Sequence, residues 1–148
     1  MAAFEPTRFG KYQLIEKIAT GGMAEVYKAK SYGVAGFEKL LVIKKILPHL
    51  SRNPEFVKMF INEAKIAVSL NHANIAQVYD LGVVDKDYFM AMEFIHGNDL
   101  MRVIKMGRKT RRFLPIPTGV HIITEVARGL DYVHTRCDDD GRPLRIVH

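Results

Sequence analysis

The sequence predicts an α+β chain, because strand-type alternation dominates its first two thirds, one well-marked helix interrupts the strands, and helical spacing takes over from Asn98. Tyr12 to Ile18 is β-like and runs into Thr20-Gly21-Gly22, after which Glu25 to Lys30 resumes the alternation, so the two segments read as a hairpin about a glycine turn. Leu40 to Leu47 is a third strand, apolar except for Lys44 and Lys45. Asn53-Pro54-Glu55 then starts a helix, with Asn as the cap, Pro at the first helical position and an acid facing the positive end of the dipole. Phe56, Phe60, Ala64 and Ala67 recur at helical spacing and mark one apolar face that runs to about Leu70. Two further strands, near Ile75–Val84 and Tyr88–Phe94, flank the turn Asp85-Lys86-Asp87.

From Asn98 a short basic helix runs to about Met106, and a longer one starts after Pro115-Ile116-Pro117-Thr118 and reaches about Arg136. The apolar positions of the longer helix, Ile122, Ile123, Val126, Leu130 and Val133, form a wide arc that expects partners on more than one side. Asp138 to Pro143 reads as a turn that feeds a last apolar strand, Leu144 to Val147.

A chain of 148 residues, 48% hydrophobic and 26% charged, is not collagen-like, low-complexity or largely disordered. At this length a compact domain buries about 70% of its unfolded surface and needs neither a disulfide nor a structural metal. The lone Cys137 agrees, since it has no intramolecular partner. The balance of 22 Lys+Arg against 16 Asp+Glu, a net charge of +6, permits nucleic acid, anionic lipid or a phosphorylated ligand without choosing among them. The N-terminus carries no apolar segment behind a basic start, and no run of apolar residues is long enough to span a bilayer, so a cytoplasmic location is expected.

Two constellations bear on chemistry. In Ile18-Ala19-Thr20-Gly21-Gly22-Met23-Ala24-Glu25-Val26, glycines between two strands let backbone N–H groups approach phosphate oxygens without an intervening Cβ. The same glycines would also serve a plain tight turn, and no Gly-Lys-Ser/Thr follows as a helix-based phosphate loop requires. The second is Lys44, inside an otherwise apolar strand, with Glu63 in the helix that follows. A buried ammonium needs a counter-charge, and a Lys44–Glu63 pair would aim the lysine at a phosphate. The alternative is a lysine that snorkels from a strand edge beside an exposed carboxylate.

Taken together these motifs resemble a protein kinase domain of the bacterial serine/threonine class. Gly21-Gly22-Met23-Ala24-Glu25-Val26-Tyr27-Lys28-Ala29 is similar to its glycine-rich loop, Val42-Ile43-Lys44 to its third-strand lysine motif, and Phe60-Ile61-Asn62-Glu63-Ala64 to its helix-C glutamate. His72-Ala73-Asn74-Ile75 resembles the loop after helix C, and Tyr88 to Leu100 resembles the fifth strand and hinge. The resemblance implies a five-stranded antiparallel sheet with one helix, followed by the first helices of a second lobe. The boundaries it implies are an N-terminal extension at residues 1–11, a first lobe and hinge at 12–97, and the start of a second lobe at 98–148.

The resemblance also implies that Ile18, Val26 and Val42 roof the adenine, Met92 is the gatekeeper, and the backbone at Glu93 and Ile95 bonds the adenine edge. Asp99 would lie near the ribose hydroxyls, the loop from Ala19 to Ala24 (Ala19, Thr20, Gly21, Gly22, Met23 and Ala24) would cover the phosphates, and Lys44 would contact them while paired with Glu63. Ala19 and Ala24 occupy the loop's first and third glycine positions and should stiffen it. Val42, where the family usually has alanine, narrows the adenine slot.

The sequence stops at His148, where the resemblance places the histidine of the His-Arg-Asp catalytic loop. The base, the Mg²⁺ ligands, the activation segment and the peptide-binding lobe therefore have no counterpart, and these residues alone are expected to be inactive. The expectation is a fragment of a longer kinase whose partners are ATP and a protein substrate, with Mg²⁺ bound only in the intact parent. The rival reading is a short pseudokinase-like binding module without catalysis. A long helix left uncovered in either case invites self-association.

The basic stretch Lys105 to Arg112 reads as a solvated loop between two helices rather than a nucleic-acid site, for no aromatic residues interleave it apart from Phe113 at its edge. Asp138-Asp139-Asp140-Gly141 has no glutamate at the right distance for Ca²⁺, and the histidines show no zinc spacing, so no metal site is expected.

Overall fold

The computed structural model describes residues 4–137, 140–144 and 146. The chain forms two units, one built from the chain up to Asn71 with Ala76–Phe94, the other from His72–Ile75 with the chain from Ile95 onward.

The first unit is an antiparallel sheet in which β1 (Thr7–Phe9), β2 (Tyr12–Thr20), β3 (Ala24–Tyr32), β4 (Glu38–Ile46), β5 (Val78–Val84) and β6 (Asp87–Glu93) lie in the order β1-β2-β3-β4-β6-β5. The sheet therefore has six strands where the sequence predicts five. The added strand, β1, is three residues folded back on β2 through Gly10 at φ 57°, and three residues are too few to show a period of two. The turn between β5 and β6 places Asp85 and Lys86 at φ 49° and 74°, the twist that a two-residue hairpin connection requires.

Alternation along the strands sorts the side chains into two apolar clusters. One face carries Phe9, Tyr12, Leu14, Tyr27, Ala29, Leu41, Ile43, Phe89 and Ala91. Within it the rings of Phe9 and Tyr12 meet Phe89 edge-on, at 5.3 and 5.5 Å between centroids. Gly82 lies under the Phe89 ring, where a Cβ would come within 2.8 Å of Cε1. The opposite face carries Ile46 and Met90 against Phe60 and Ala64 of α1 (Pro54–Ser69). As predicted, Asn53 caps α1, its Oδ1 accepting from the Glu55 N–H at 3.0 Å, with Pro54 next in the chain.

The second unit contains α2 (Leu100–Thr110) and α3 (Ile116–His134). Asp99 caps α2, and Arg111 ends it in the left-handed conformation at φ 54°. The helix thus continues past Met106, and Lys105, Arg108 and Lys109 lie on it rather than in a loop. Arg and Lys are strong helix formers, and cations suit the last turn of a helix. The α3 helix starts at Ile116, two residues before Thr118, with Pro117 tolerated in its first turn. Asn74 is held to it, its Nδ2 donating to the Glu125 carbonyl at 2.9 Å and to Oε2 of the same residue at 2.8 Å.

No helix among the described residues is long and apolar enough to cross a membrane. Of the predicted last strand, Arg145 and Val147 lie outside the described residues, as do Asp138 and Asp139 of the turn before it. What is described there is an antiparallel bridge between Cys137 and Pro143, with Gly141 at φ 78° in the turn.

Candidate functional site

The glycine segment is a tight connection between β2 and β3. Thr20 pairs with Glu25, and the Gly21 N–H donates to the Ala24 carbonyl at 2.8 Å. The Met23 carbonyl accepts from the Leu47 N–H at 3.0 Å, which ties the loop tip to the end of β4. Nothing lies within 4 Å of where a Gly22 Cβ would stand, so its backbone is open to an incoming group. Ala24 is buried, whereas Ala19 and Thr20 are exposed.

Pairing across β3, β4 and β6 aligns the predicted residues on one face. Val26 is opposite Lys44 and Lys44 opposite Met90, while Val42 is opposite Met92. Since Tyr27, Ile43 and Ala91 point into the other cluster, Val26, Val42, Lys44 and Met92 share the face on which α1 packs. Ile18 falls where the β2–β3 register shifts and stays half exposed.

Lys44 Nζ lies 2.6 Å from Glu63 Oε1, joining β4 to α1. The lysine side chain is 27% exposed and the glutamate 56%, so the pair has one sheltered member and one that faces solvent. The Phe60 ring lies 5.9 Å from the same ammonium. A cleft beside the pair is lined by Met23, Ala24, Ile46 and Phe60. Sequence reasoning did not assign Met90, Phe60 or Leu47 to the site, although Met90 was legible as the residue two positions before the predicted gatekeeper on an alternating strand.

At the mouth of the loop, Glu25 accepts from Lys17 and from the Tyr27 hydroxyl. The Lys17 hydrogen bond outweighs burial and holds the Glu25 carboxyl below its ordinary range, while burial and then Glu25 itself push the Tyr27 phenol up. The Glu93 N–H is taken by the Gln77 carbonyl at 2.8 Å, and Glu93 lies opposite Leu41 at the end of the β4–β6 pairing. Ile95 and Asp99 belong to the second unit. There Asp99 Oδ1 accepts from the Arg102 N–H at 2.7 Å, so one carboxylate oxygen serves as the α2 cap.

The model of the protein kinase domain matches residues 12–140. The chain belongs to the protein kinase family. Among its relatives, the tyrosine-protein kinase MasK of Myxococcus xanthus is 41% identical over 140 residues, which cover 95% of this chain and 22% of MasK. The serine/threonine-protein kinase PknI of Mycobacterium tuberculosis is 30% identical over 149 residues, 99% of this chain and 25% of PknI. The crystal structure of the M. tuberculosis PknI kinase domain matches with a TM-score of 0.68 at 29% identity, over 92% of this chain and 51% of that one. This kinase chain thus spans about a quarter of the length of the curated relatives and about half of the solved kinase domain. The sheet with α1 is the first lobe of that fold, and α2 and α3 are the first helices of its second lobe.

Proposed function

We propose that this chain is the ATP-binding part of a kinase that transfers the γ-phosphoryl group of ATP to serine or threonine of a protein, and that these residues alone bind nucleotide without turning it over. The observation that carries the reading is the Lys44–Glu63 pair, at 2.6 Å, on the same sheet face as Val26, Val42 and Met92 and next to a loop whose backbone is open at Gly22. ATP supplies the transferable phosphoryl group. The protein's share is to hold it: apolar contact from Ile18, Val26, Val42 and Met92 for the base, backbone at Glu93 and Ile95 for its edge, Asp99 for the ribose. The loop from Ala19 to Ala24 and the Lys44 ammonium, fixed by Glu63, would meet the phosphates. The serine/threonine assignment follows the names of PknI, PknH and PknF, while MasK carries the tyrosine name. We place these residues in the cytoplasm, where ATP is held and Cys137 would stay reduced.

The sequence contains no His-Arg-Asp or Asp-Phe-Gly segment, so neither the base nor the Mg²⁺ ligands of the family's mechanism are among these residues. ATP at about ten times its Kd stabilises by about 1.4 kcal/mol, a rise in Tm of about 3–6 °C for a chain of this size. We expect that shift at millimolar ATP, and expect Lys44→Met to abolish it while keeping the Tm of the ligand-free chain. A Tm that does not move with ATP in the unsubstituted chain overturns the reading. The coding DNA after the His148 codon tests the parent separately, since a kinase that phosphorylates protein must continue into Arg-Asp and a later metal motif.

A further inference from the structure

We infer that the basic face of α2 and the turn after it form a docking site for a phosphorylated segment of polypeptide, separate from the nucleotide site. Arg102, Lys105, Arg108, Lys109, Arg111 and Arg112 occupy a stretch that holds no carboxylate between Asp99 and Glu125. Setting these six aside leaves 16 basic against 16 acidic residues in the rest of the chain, so the whole net charge of +6 is concentrated here. All six are exposed, and none forms an ion pair with another described residue.

That arrangement works against the helix itself. Arg102 with Lys105, Lys105 with Arg108 and Lys105 with Lys109 are like charges three or four residues apart, which destabilises a helix. The dipole compensates only Arg108 and Lys109, in the last turn. An anionic partner would remove the remaining repulsion.

The shape of the surface favours a compact dianion. Arg102 and Arg112 line one concavity with Asn98 and Thr110, over Val103 and Met106. The turn is held against the helix by the Arg112 N–H, which donates to the Gly107 carbonyl at 3.0 Å. A Cβ on Gly107 would lie 2.8 Å from the Arg112 carbonyl oxygen, so this close return of the chain needs a glycine. The two guanidinium groups present forked donors suited to a phosphate, with an amide beside them. Single-stranded nucleic acid would need stacking aromatics, and only Phe113 borders the stretch. A kinase that retains a phosphorylated segment would hold a partly modified substrate for further transfer. This inference rests on membership of the family and not on the nucleotide reading.

The test is fluorescence anisotropy of the whole chain with fluorescein-labelled Gly-Ala-Glu-pThr-Glu-Leu-Gly, its unphosphorylated counterpart, a labelled oligouridine and phosphatidylserine vesicles, all with ATP present to occupy the nucleotide site. We expect the phosphopeptide to bind in preference to the other three, more weakly as salt rises. Arg102→Ala with Arg112→Ala should weaken binding about tenfold or more. Arg102→Lys with Arg112→Lys keeps the charge but loses the forks and should weaken it less, and Gly107→Val should weaken it by displacing the turn. Equal affinity for the unphosphorylated peptide, stronger binding of the oligouridine or vesicles, or an unaltered affinity in the double alanine variant with the native Tm, each overturns the inference.

Discussion

In the sheet unit Ile43 is 0% and Met90 1% exposed, whereas along α3 of the helical unit Val120, Ile123 and Val126 are 61%, 61% and 52% exposed. Both segments carry apolar residues at the period of their own secondary structure. The sheet unit buries apolar residues on both faces, with one cluster around Phe89 and a second under α1. In the helical unit α2 buries no residue and α3 buries only Gly129 and Val133. Periodicity therefore reports which face of an element is apolar and leaves open whether anything covers it. Free energy follows coverage, so the stability of the chain should reside in the sheet.

The largest effect expected from that contrast is in a pair of truncations. Ile43→Ala removes a fully buried side chain at the centre of the sheet and should cost about 2–5 kcal/mol. Val126→Ala, on the uncovered face of α3, should change stability by no more than about 0.5 kcal/mol. Urea midpoints of the two variants read the difference, and similar losses would show that α3 is covered in solution.

A second prediction sharpens the account of the sheet. The Tyr12 hydroxyl donates to Asp80 Oδ2 at 2.8 Å, and Lys11 lies 2.7 Å from the same oxygen, so the start of β2 is tied to β5. Burial would raise the Asp80 carboxyl, but the hydrogen bonds from Lys11 and Tyr12 outweigh it and hold the group below its ordinary range. Burial, followed by the bond to Asp80, pushes the Tyr12 phenol up from 10.0 to about 12. A raised folded pKa means that the neutral hydroxyl stabilises the fold fully below about pH 10, and that this contribution is lost as pH climbs toward 12. Tyr12→Phe should cost about 1.5–3 kcal/mol at neutral pH, because the bond it removes ends on a charged group. The variant should also lose stability less steeply than the unsubstituted chain between about pH 10 and 12. Parallel profiles for the two chains would show that Tyr12 does not titrate in this window. Lys11 is too exposed to make its own ion pair matter much here.

That contact also shows what the sequence does and does not disclose. The five longer strands, the helix opened by Asn53-Pro54 and the Lys44–Glu63 pair were legible, because each is written in local period, capping chemistry or the order of motifs. The bond from Tyr12 to Asp80 spans 68 positions and exists only through pairing across the sheet. Strand β1 was invisible for the same reason, since Thr7-Arg8-Phe9 becomes a strand only by lying against Tyr12 to Leu14. The extent of α2 was misread for another. A run of cations looks like a solvated loop in composition, yet Lys and Arg favour helix and Asp99 supplies the cap. Of the predicted site residues, those on β3, β4, β6 and α1 come together within one unit, and Ile95 and Asp99 fall in the other.

The smallest effect gives the most direct comparison of the two units, because each contains one helix capped by one acceptor side chain. Asn53 Oδ1 accepts from the Glu55 N–H at the start of α1, and Asp99 Oδ1 from the Arg102 N–H at the start of α2. Asn53→Ala and Asp99→Ala should each cost their helix about 1 kcal/mol. Since α1 places Phe60 and Ala64 in the core, its loss should be paid by the whole sheet and appear as a lower urea midpoint. Because α2 buries nothing, its loss should appear as faster amide exchange within Leu100–Thr110, with the midpoint unmoved. If Asp99→Ala lowers the midpoint as far as Asn53→Ala does, the helical unit unfolds together with the sheet and the contrast in burial does not carry over to stability.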